Sequence, residues 1–221
     1  MNTRTERSLF PLVRHLSDRT TPLLAQTPLT ANQLTTMSLV LGLAAAWLLT
    51  RPDPWLHAAA GALLVVSYVL DNCDGDIARL KDQCTTFGMH FDTFADWAVH
   101  TAFFLALGAG EAARSGDPMW WWMGVIAGAG GTINYLLGLL PGPEAKAATA
   151  PDENAAAPRR PATAGQWFAY VFRELFRADF CFLVLVLALA GGLWLLLPAG
   201  MIDAQVYWMA QFVRGAREFR S

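Results

Sequence analysis

Four aspartates occur within a short stretch of the chain, between two long apolar segments. They are Asp71, Asp74, Asp92 and Asp96. A carboxylate close to hydrocarbon loses its water at a high cost, so such residues in a membrane-type sequence indicate a functional site. Four converging carboxylates repel one another unless protons or divalent cations neutralise them. A site of oxygen ligands favours a hard ion such as Mg²⁺ or Mn²⁺.

The first aspartate pair shares a helix face with small residues and an arginine. At about 100° per residue, one half of the helix carries Asp71, Asp74, Gly75, Ala78 and Arg79. A glycine allows a ligand to approach the backbone closely. An arginine beside the acids suits a phosphate oxygen. The face therefore predicts metal and phosphate chemistry.

The second pair, Asp92 and Asp96, shares a face of the next helix with Gly88. Residues 80–87 suffice for a tight reversal, so the two faces can meet and bring four carboxylates together. Two metal ions about 3.5–4 Å apart are a recurring device for in-line displacement at phosphorus. The pattern predicts such a reaction.

The composition is typical of an integral membrane protein. Of 221 residues, 54% are hydrophobic and 15% are charged, and several apolar runs are long enough to cross a bilayer. The net charge of −2 gives no indication of nucleic-acid binding, and none is expected. The cysteines Cys73, Cys84 and Cys181 lack metal-type spacing and are predicted to be reduced packing residues. Residues 1–28 lack the apolar core of a signal peptide.

The predicted fold is an all-α, polytopic membrane bundle with six transmembrane helices and an N-terminal interfacial amphipathic helix over residues 5–20. The expected spans cover residues 31–50, 55–81, 86–110, 120–140, 178–197 and 202–213. An exposed cytoplasmic loop is expected over 141–164 and a surface helix over 166–176. The domain division is an N-terminal segment 1–30, a transmembrane domain 31–215 and a tail 216–221.

Smaller signals predict how the later spans pack and turn. In the fourth span, close helix packing is favoured by Gly128, Gly130, Gly131 and Gly138. A turn between the fifth and sixth spans is expected at residues 198–200. In the sixth span, Gln205 and Gln211 need polar neighbours inside the bundle.

The basic residues predict the orientation in the plasma membrane. With a cytoplasmic N terminus and six crossings, only Arg51 and Arg114 fall outside, which leaves 14 of the 16 basic residues inside. This topology puts the aspartates at the cytoplasmic edge, where they can meet soluble nucleotides and membrane lipids.

The spacing of eight residues also matches a known signature, D-x2-D-G-x2-A-R-x8-G-x3-D-x3-D. Every fixed position is met, over 26 residues, by Asp71, Asp74, Gly75, Ala78, Arg79, Gly88, Asp92 and Asp96. On this motif the chain resembles the CDP-alcohol phosphotransferase family. The layout of its membrane spans is similar to that of the family as well.

The resemblance implies a phospholipid-biosynthesis transferase. Such an enzyme moves a phosphatidyl or phospho-alcohol group from a CDP-linked donor, usually CDP-diacylglycerol, to the hydroxyl of an alcohol and releases CMP. The implied cofactor is Mg²⁺ or Mn²⁺, as two ions, held by the four aspartates. The resemblance also makes Asp96 the general base. A homodimer is a further implication.

The donor-binding residues follow from the same resemblance. Matches to nucleotide-facing positions are Gly75, Ala78, Arg79 and Gly88. Members of the family often carry Pro-Asn-x-x-Thr at the start of the first span, and this chain has Ala31 in place of the proline but keeps Asn32 and Thr35. These two residues are candidates for the donor site, with a helix cap and a surface hydroxyl as the competing interpretation.

The acceptor is less well defined. An anionic alcohol such as glycerol phosphate or inositol phosphate needs basic residues, and the candidates are Lys146, Arg173 and Arg177. These side chains equally suit lipid headgroups. Residues 24–38 resemble the branch of the family that uses inositol phosphate. The family often has a basic residue after its last aspartate, where this chain has Trp97. One turn beyond Asp96, His100 is either part of the acceptor pocket or a satisfied interior histidine. Asn134 in the fourth span has the same two interpretations, an acceptor contact or a satisfied interior side chain.

Two other classes of protein stay open. An intramembrane Mg²⁺-dependent prenyltransferase also sets acids against a pyrophosphate, but in that family the acidic motifs lie on well-separated spans. A divalent cation transporter could use the aspartates as an ion pathway, although transporters often have internal repeats and broken helices near the midplane.

Overall fold

The structure is a computed structural model that describes residues 11–139 and 179–218. The predicted all-α class is confirmed, because neither range contains a strand. The α-helices of these ranges are α1 (Leu12–Ala25), α2 (Ala31–Leu49), α3 (Pro54–Leu80), α4 (Thr86–Ser115), α5 (Met119–Gly138), α6 (Phe180–Leu189) and α7 (Leu196–Glu218), with a short 3-10 helix (Leu193–Leu195) before α7.

Local sequence explains where the three helices of the motif region begin. The Thr30 side chain accepts from the backbone N–H of Gln33, whose own side chain accepts from the N–H of Thr30, which forms a capping box at the start of α2. Asp53 caps α3, and Thr85 caps α4 by accepting from the N–H of Gly88. The predicted starts of the first three spans therefore agree with the structure to within a residue.

Helix α3 lies at the centre of the packing. It contacts α2, α1 and α6, while α4 packs against α2 and α5, and α5 packs against α7. A continuous apolar core includes Leu49, Leu64, Phe103, Leu107 and Val184. The motif halves of α3 and α4 lie beside α2, so three helices surround the aspartates.

Glycines let α5 approach its neighbours at two places. A Cβ added to Gly108 of α4 would come 2.8 Å from the Trp120 carbonyl oxygen, and Gly124 lies opposite Gly108. Gly130 faces Ala204 of α7, as the predicted packing role requires. For Gly131 and Gly138 that prediction is wrong within the described chain, where no atom lies within 4 Å of an added Cβ.

Two of the described helices, α2 and α3, are long and apolar enough to cross a membrane by length and composition. The count of six spans stays a prediction. The predicted loop over 141–164 and surface helix over 166–176 lie outside the described residues, as does the end of the tail at 219–221.

The predicted fifth span, residues 178–197, is wrong as a single helix. Helix α6 ends at Leu189, and Gly191 takes a left-handed backbone conformation with φ of 69° that ends the helix. The turn expected at 198–200 is wrong as well, because Pro198 lies in the first turn of α7, where a proline costs no helical hydrogen bond. Helix α7, which contains the predicted sixth span, is therefore longer than the predicted 202–213.

The N-terminal helix also differs from its predicted bounds of 5–20. Within the described chain it begins at Leu12, directly after Pro11, and continues through Pro22 to Ala25. Its buried residues, Val13 among them, pack towards α3. The fully buried Asp179 accepts from the N–H groups of Leu12 and Val13 at 2.7 and 2.8 Å, which ties the start of α1 to the start of α6.

Candidate active site between helices α2, α3 and α4

Three of the four predicted aspartates converge. One carboxylate oxygen each from Asp71 and Asp74 on α3 and from Asp92 on α4 all lie within 4.8 Å of one another. Asp74 is buried, and the other two are half-buried. Three closely spaced carboxylates in partly desolvated surroundings fit a hard divalent cation, since such ions prefer oxygen ligands and cancel the repulsion. We call these residues the carboxylate triad.

Helix α2 orients the triad through two hydroxyl groups. The buried Thr35 hydroxyl donates to the Asp74 carboxylate. One turn further on, Ser38 Oγ donates to the Thr35 carbonyl and lies 3.5 Å from Asp71 Oδ1. The interpretation of Thr35 as a surface hydroxyl is therefore wrong. Sequence reasoning missed Ser38, although its i+3 spacing from Thr35 places it on the same helix face.

A first cavity of about 440 Å³ opens beside the triad. All six residues predicted to bind the donor line it, together with two members of the triad: Asn32, Thr35, Gly75, Ala78, Arg79, Gly88, Asp74 and Asp92. Sequence reasoning missed Gln83, which also lines this cavity and accepts the N–H of Ala31 at 2.9 Å. The two halves of the motif and the start of α2 thus form the walls of a single cavity.

The glycine at the start of α4 is needed for space. A Cβ added to Gly88 would lie 3.1 Å from both Asn32 Oδ1 and Thr85 Oγ1, which is tighter than ordinary van der Waals contact. Asn32 faces this cavity, and the helix cap is supplied by Thr30 instead. The interpretation of Asn32 as a cap is therefore wrong.

Arg79 lines the first cavity but forms its ion pair with an aspartate outside the triad. Its guanidinium donates to Asp76 Oδ1, and the same oxygen accepts from Arg14 Nη2 at 3.1 Å. Asp76 is therefore paired with both arginines. A Cβ added to Gly75 would lie within 4 Å of the Arg79 guanidinium, so this group lies across the glycine.

Asp96 lies one helical turn beyond Asp92 and faces a second cavity of about 610 Å³ between α4, α5 and α7. Among the residues that the structure describes, the group of close carboxylates contains the triad and not Asp96. The second cavity is lined on its other sides mainly by aromatic and small residues, among them Trp97, His100, Tyr135 and Tyr207. Asp74 and Asp92 thus line the first cavity and Asp96 lines the second, and the two cavities differ in the types of residue that line them.

The polar groups of the second cavity are mostly paired. His100 Nδ1 contacts the Asp96 carbonyl at 2.9 Å and its Nε2 contacts the Tyr68 hydroxyl at 2.8 Å, so the histidine is satisfied, but it is exposed at this cavity and not interior. Trp97 donates to Thr132 and stacks on Tyr135. In contrast, Asn134 Oδ1 is buried without a hydrogen-bond partner in the described chain. The predicted acceptor residues Lys146, Arg173 and Arg177 lie outside the described residues.

An all-helical fold with clustered carboxylates beside a polar cavity defines a membrane-type transferase of phosphate groups, and comparison with known proteins gives the family. Residues 28–194 match the model of the CDP-alcohol phosphatidyltransferase family, so the chain belongs to that family. The predicted enzyme class is confirmed at this level. Its members are membrane-embedded and divalent-metal dependent, with CDP-linked donors and alcohol acceptors.

Two curated relatives cover part of the same region. The chain is 36% identical over 118 residues to the "Bifunctional IPC transferase and DIPP synthase" of Aquifex aeolicus. The matched segment covers 53% of this chain and 26% of the relative. It is 29% identical over 116 residues to the protein of the same name from Thermococcus kodakarensis, which is 52% of this chain and 25% of the relative. The chain thus spans about a quarter of the length of these relatives. The family assignment excludes the prenyltransferase and transporter alternatives.

Proposed function

We propose that the protein transfers a substituted phosphate group from a CDP-linked donor, CDP-diacylglycerol in the first place, to the hydroxyl of an alcohol, with release of CMP. The observation that carries this proposal is the first cavity, where the carboxylate triad meets all six of the residues that the motif marks for the donor. The long apolar helices α2 and α3 beside it favour a lipid-linked donor over a soluble one.

The triad is the proposed metal site. Asp71, Asp74 and Asp92 would hold Mg²⁺ or Mn²⁺, and the Thr35 and Ser38 hydroxyls, which donate to Asp74 and Asp71, would fix the orientation of these two ligands. Two ions are proposed because the four aspartates, Asp96 included, carry four negative charges. When bound, the metal supplies positive charge against the phosphoryl oxygens and the departing CMP.

Residues of the first cavity would bind and orient the donor. The open backbone at Gly75 and Gly88 leaves room for the cytidine diphosphate. The Arg79 guanidinium, with donors to spare beyond its bond to Asp76, would take a phosphate oxygen. Asn32 would add an amide on the α2 side of the cavity.

Asp96 is the proposed general base. It lines the second cavity one helical turn beyond Asp92 of the triad, so a hydroxyl held in the second cavity would lie beside Asp96 and would be directed at the phosphorus of a donor bound at the triad. The acceptor oxygen forms a bond to the distal phosphorus as its proton moves to Asp96. The bond between that phosphorus and the oxygen of CMP breaks, and CMP leaves with the electron pair.

The second cavity is the proposed acceptor site. Asn134 Oδ1, buried and unpartnered, would accept a hydrogen bond from a hydroxyl of the alcohol. The acidic lining groups are Asp96 and Asp203, and no lysine or arginine from residues 11–139 or 179–209 lines the cavity. For an anionic alcohol phosphate, the charge would have to come from Lys146, Arg173 and Arg177, which we retain as candidates.

We further propose the division into an N-terminal segment 1–30, a transmembrane domain 31–215 and a tail 216–221, with six spans in the plasma membrane and a homodimeric assembly. Large exposed apolar side chains on α6 and α7, such as Val186, Leu189 and Phe212, suit lipid contact. The N terminus and the active site are proposed to be cytoplasmic.

Labelling of single cysteines tests the orientation. The 30 residues of α4 span about 45 Å, so the exposed Cys84 before it and an Asp117→Cys probe after it should lie on opposite sides of the membrane. An impermeant maleimide should label Cys84 in inverted vesicles and the probe at 117 in right-side-out vesicles. The opposite pattern would contradict a cytoplasmic active site.

The reaction itself is tested by an acceptor screen. Purified protein with Mn²⁺ and cytidine-labelled CDP-diacylglycerol is given glycerol phosphate, inositol phosphate, inositol, glycerol or serine in separate reactions. We expect labelled CMP with one class of alcohol and none without it. Failure to release CMP with any alcohol, with CDP-diacylglycerol and with soluble CDP-alcohols alike, would contradict the proposed function.

A further inference from the structure

A chain of charged contacts reaches the first cavity from the N-terminal helix. Asp76 Oδ1 accepts from Arg79 Nη2 on its own helix and from Arg14 Nη2 on α1. The Asp76 side chain is 15% exposed, compared with 65% for Arg79 and 42% for Arg14. A half-buried carboxylate between two guanidinium groups is held more firmly than a surface pair, because each arginine fixes the same oxygen.

The helix that carries Arg14 is itself anchored at two points. Asp179, which is fully buried, binds the backbone N–H groups of Leu12 and Val13. Further along α1, the Ser17 carbonyl contacts the buried Cys73 Sγ of α3 at 3.8 Å. Arg14 therefore projects from a fixed helix, directly after the second of the two Asp179 contacts.

Arg79 lines the same cavity as Asp74 and Asp92 but forms its ion pair with Asp76. On α3, Asp76 points away from the face that carries Asp71 and Asp74. An unrestrained guanidinium would be drawn to the triad, where it would compete with divalent cations for the carboxylates. The contact with Asp76 keeps Arg79 over Gly75 at the lining of the first cavity instead.

We propose that Asp76 and Arg14 are positioning residues that hold the Arg79 guanidinium at the first cavity for a phosphate of the CDP-linked donor, a role that rests on the proposed function. A free arginine side chain loses rotamer entropy when it is fixed on a ligand. Arg14 and Asp76 reduce that loss before the donor arrives, since a pre-organised group binds with a smaller entropic penalty. Neither residue belongs to the eight-residue motif.

Steady-state kinetics with the full-length protein test the role in donor binding. The variants Asp76→Asn and Arg14→Gln should each raise the donor KM by roughly two- to fivefold, the effect of losing a partly exposed ion pair, and leave kcat within about twofold of wild type. A misfolded fraction would lower kcat and leave KM unchanged, so comparing the change in KM with the change in kcat separates positioning from loss of structure. Arg14→Lys should recover most of the lost affinity, and the double variant should be no worse than either single variant.

Two matched controls come from the same helix. Arg19→Gln removes one exposed positive charge from α1 at a position that lines neither cavity, and Asp18→Asn removes the other acid that pairs with Arg14. Both should keep the donor KM of wild type. An increase in the donor KM of Arg19→Gln equal to that of Arg14→Gln would assign the effect to the lost positive charge of α1 and would overturn the proposal.

A chemical readout is independent of turnover. The rate at which phenylglyoxal modifies Arg79 is followed by peptide mass spectrometry in the wild type, Asp76→Asn and Arg14→Gln. We expect Arg79 to react severalfold faster in both variants because its guanidinium is released. Equal rates in all three proteins would overturn the proposal, whether or not any alcohol yields CMP. Faster modification with an unchanged donor KM in an active enzyme would overturn it as well.

Discussion

The two cavities on either side of the aspartates take their walls from different parts of the chain. The first cavity is built by residues 31–92, on α2, α3 and the start of α4, and its lining is mostly small and polar. The second is built by residues 93–135 and 200–207, on α4, α5 and α7, and its lining is rich in aromatic side chains. In the proposed reaction, the first cavity serves the step that the motif defines, whereas the second determines which alcohol reacts.

The largest effect should come from Asp96, which lies between the two cavities. Asp96→Asn removes the proposed base and should lower turnover by about 10²–10⁴-fold, the usual contribution of general base catalysis. Donor binding should change little, because Asp96 does not line the first cavity. Turnover and equilibrium binding of labelled CDP-diacylglycerol measure the two quantities.

Asp203→Asn is the matched control, since Asp203 is an exposed acid of the same cavity. Its turnover should fall far less. Near-normal turnover in Asp96→Asn would remove Asp96 from the base role, and an equal loss in both variants would point to the charge of the second cavity instead.

An intermediate effect should be confined to the first cavity. Gly88→Ala places a methyl group 3.1 Å from Asn32 Oδ1 and Thr85 Oγ1, so the donor KM should rise about tenfold, near the lower end of the cost of overpacking. The acceptor KM should stay close to wild type. Initial rates with each substrate varied in turn separate the two constants.

Gly138→Ala, where an added methyl group meets no described atom within 4 Å, is the control and should leave the donor KM unchanged. If Gly88→Ala altered only the acceptor KM, the assignment of the first cavity to the donor would be wrong.

The smallest effect should be confined to the second cavity. Asn134→Leu removes the unpartnered amide oxygen and should raise the acceptor KM by roughly three- to tenfold, the effect of one lost hydrogen bond, with the donor KM unchanged. The measurement uses the alcohol found in the acceptor screen. Ile133→Leu, at the exposed neighbouring position, should match wild type. A raised donor KM in Asn134→Leu would contradict the division between the cavities.

The first cavity could be predicted from sequence because its walls follow from local geometry. Two helices with a short reversal between them place Asp71, Asp74 and Asp92 on facing surfaces by helical periodicity alone, and the structure brings these three together. The starts of α2, α3 and α4 also depend on nearby residues alone, since Thr30, Asp53 and Thr85 each cap the helix that follows.

The second cavity depends on contacts between distant segments, which periodicity does not contain. Asn134 of α5 and Tyr207 of α7 meet only because α5 packs against α7. The break after α6 was missed for a related reason. Residues 178–197 are almost continuously apolar, which favours one long helix, but Gly191 adopts a positive φ and divides the segment.

The ion pair of Arg79 is a second case in which helical spacing did not predict the contacts of a residue. Helical spacing put Arg79 on the face of the acids, and it does line the first cavity. The spacing also allowed an i, i+3 pair with Asp76, which is the pair that the structure shows. The same Asp76 oxygen binds Arg14, which lies 62 residues before Asp76 in the chain.

Binding of Mn²⁺, followed by electron paramagnetic resonance, tests most directly whether the carboxylate triad is a metal site. We expect the wild type to bind Mn²⁺ and Asp92→Ala to lose most of that binding together with CMP release, because the site loses one of three ligands. Asp82→Asn, a loop acid outside the triad whose positive φ asparagine also tolerates, should bind as wild type does. Equal Mn²⁺ affinity in the wild type and Asp92→Ala would contradict the account.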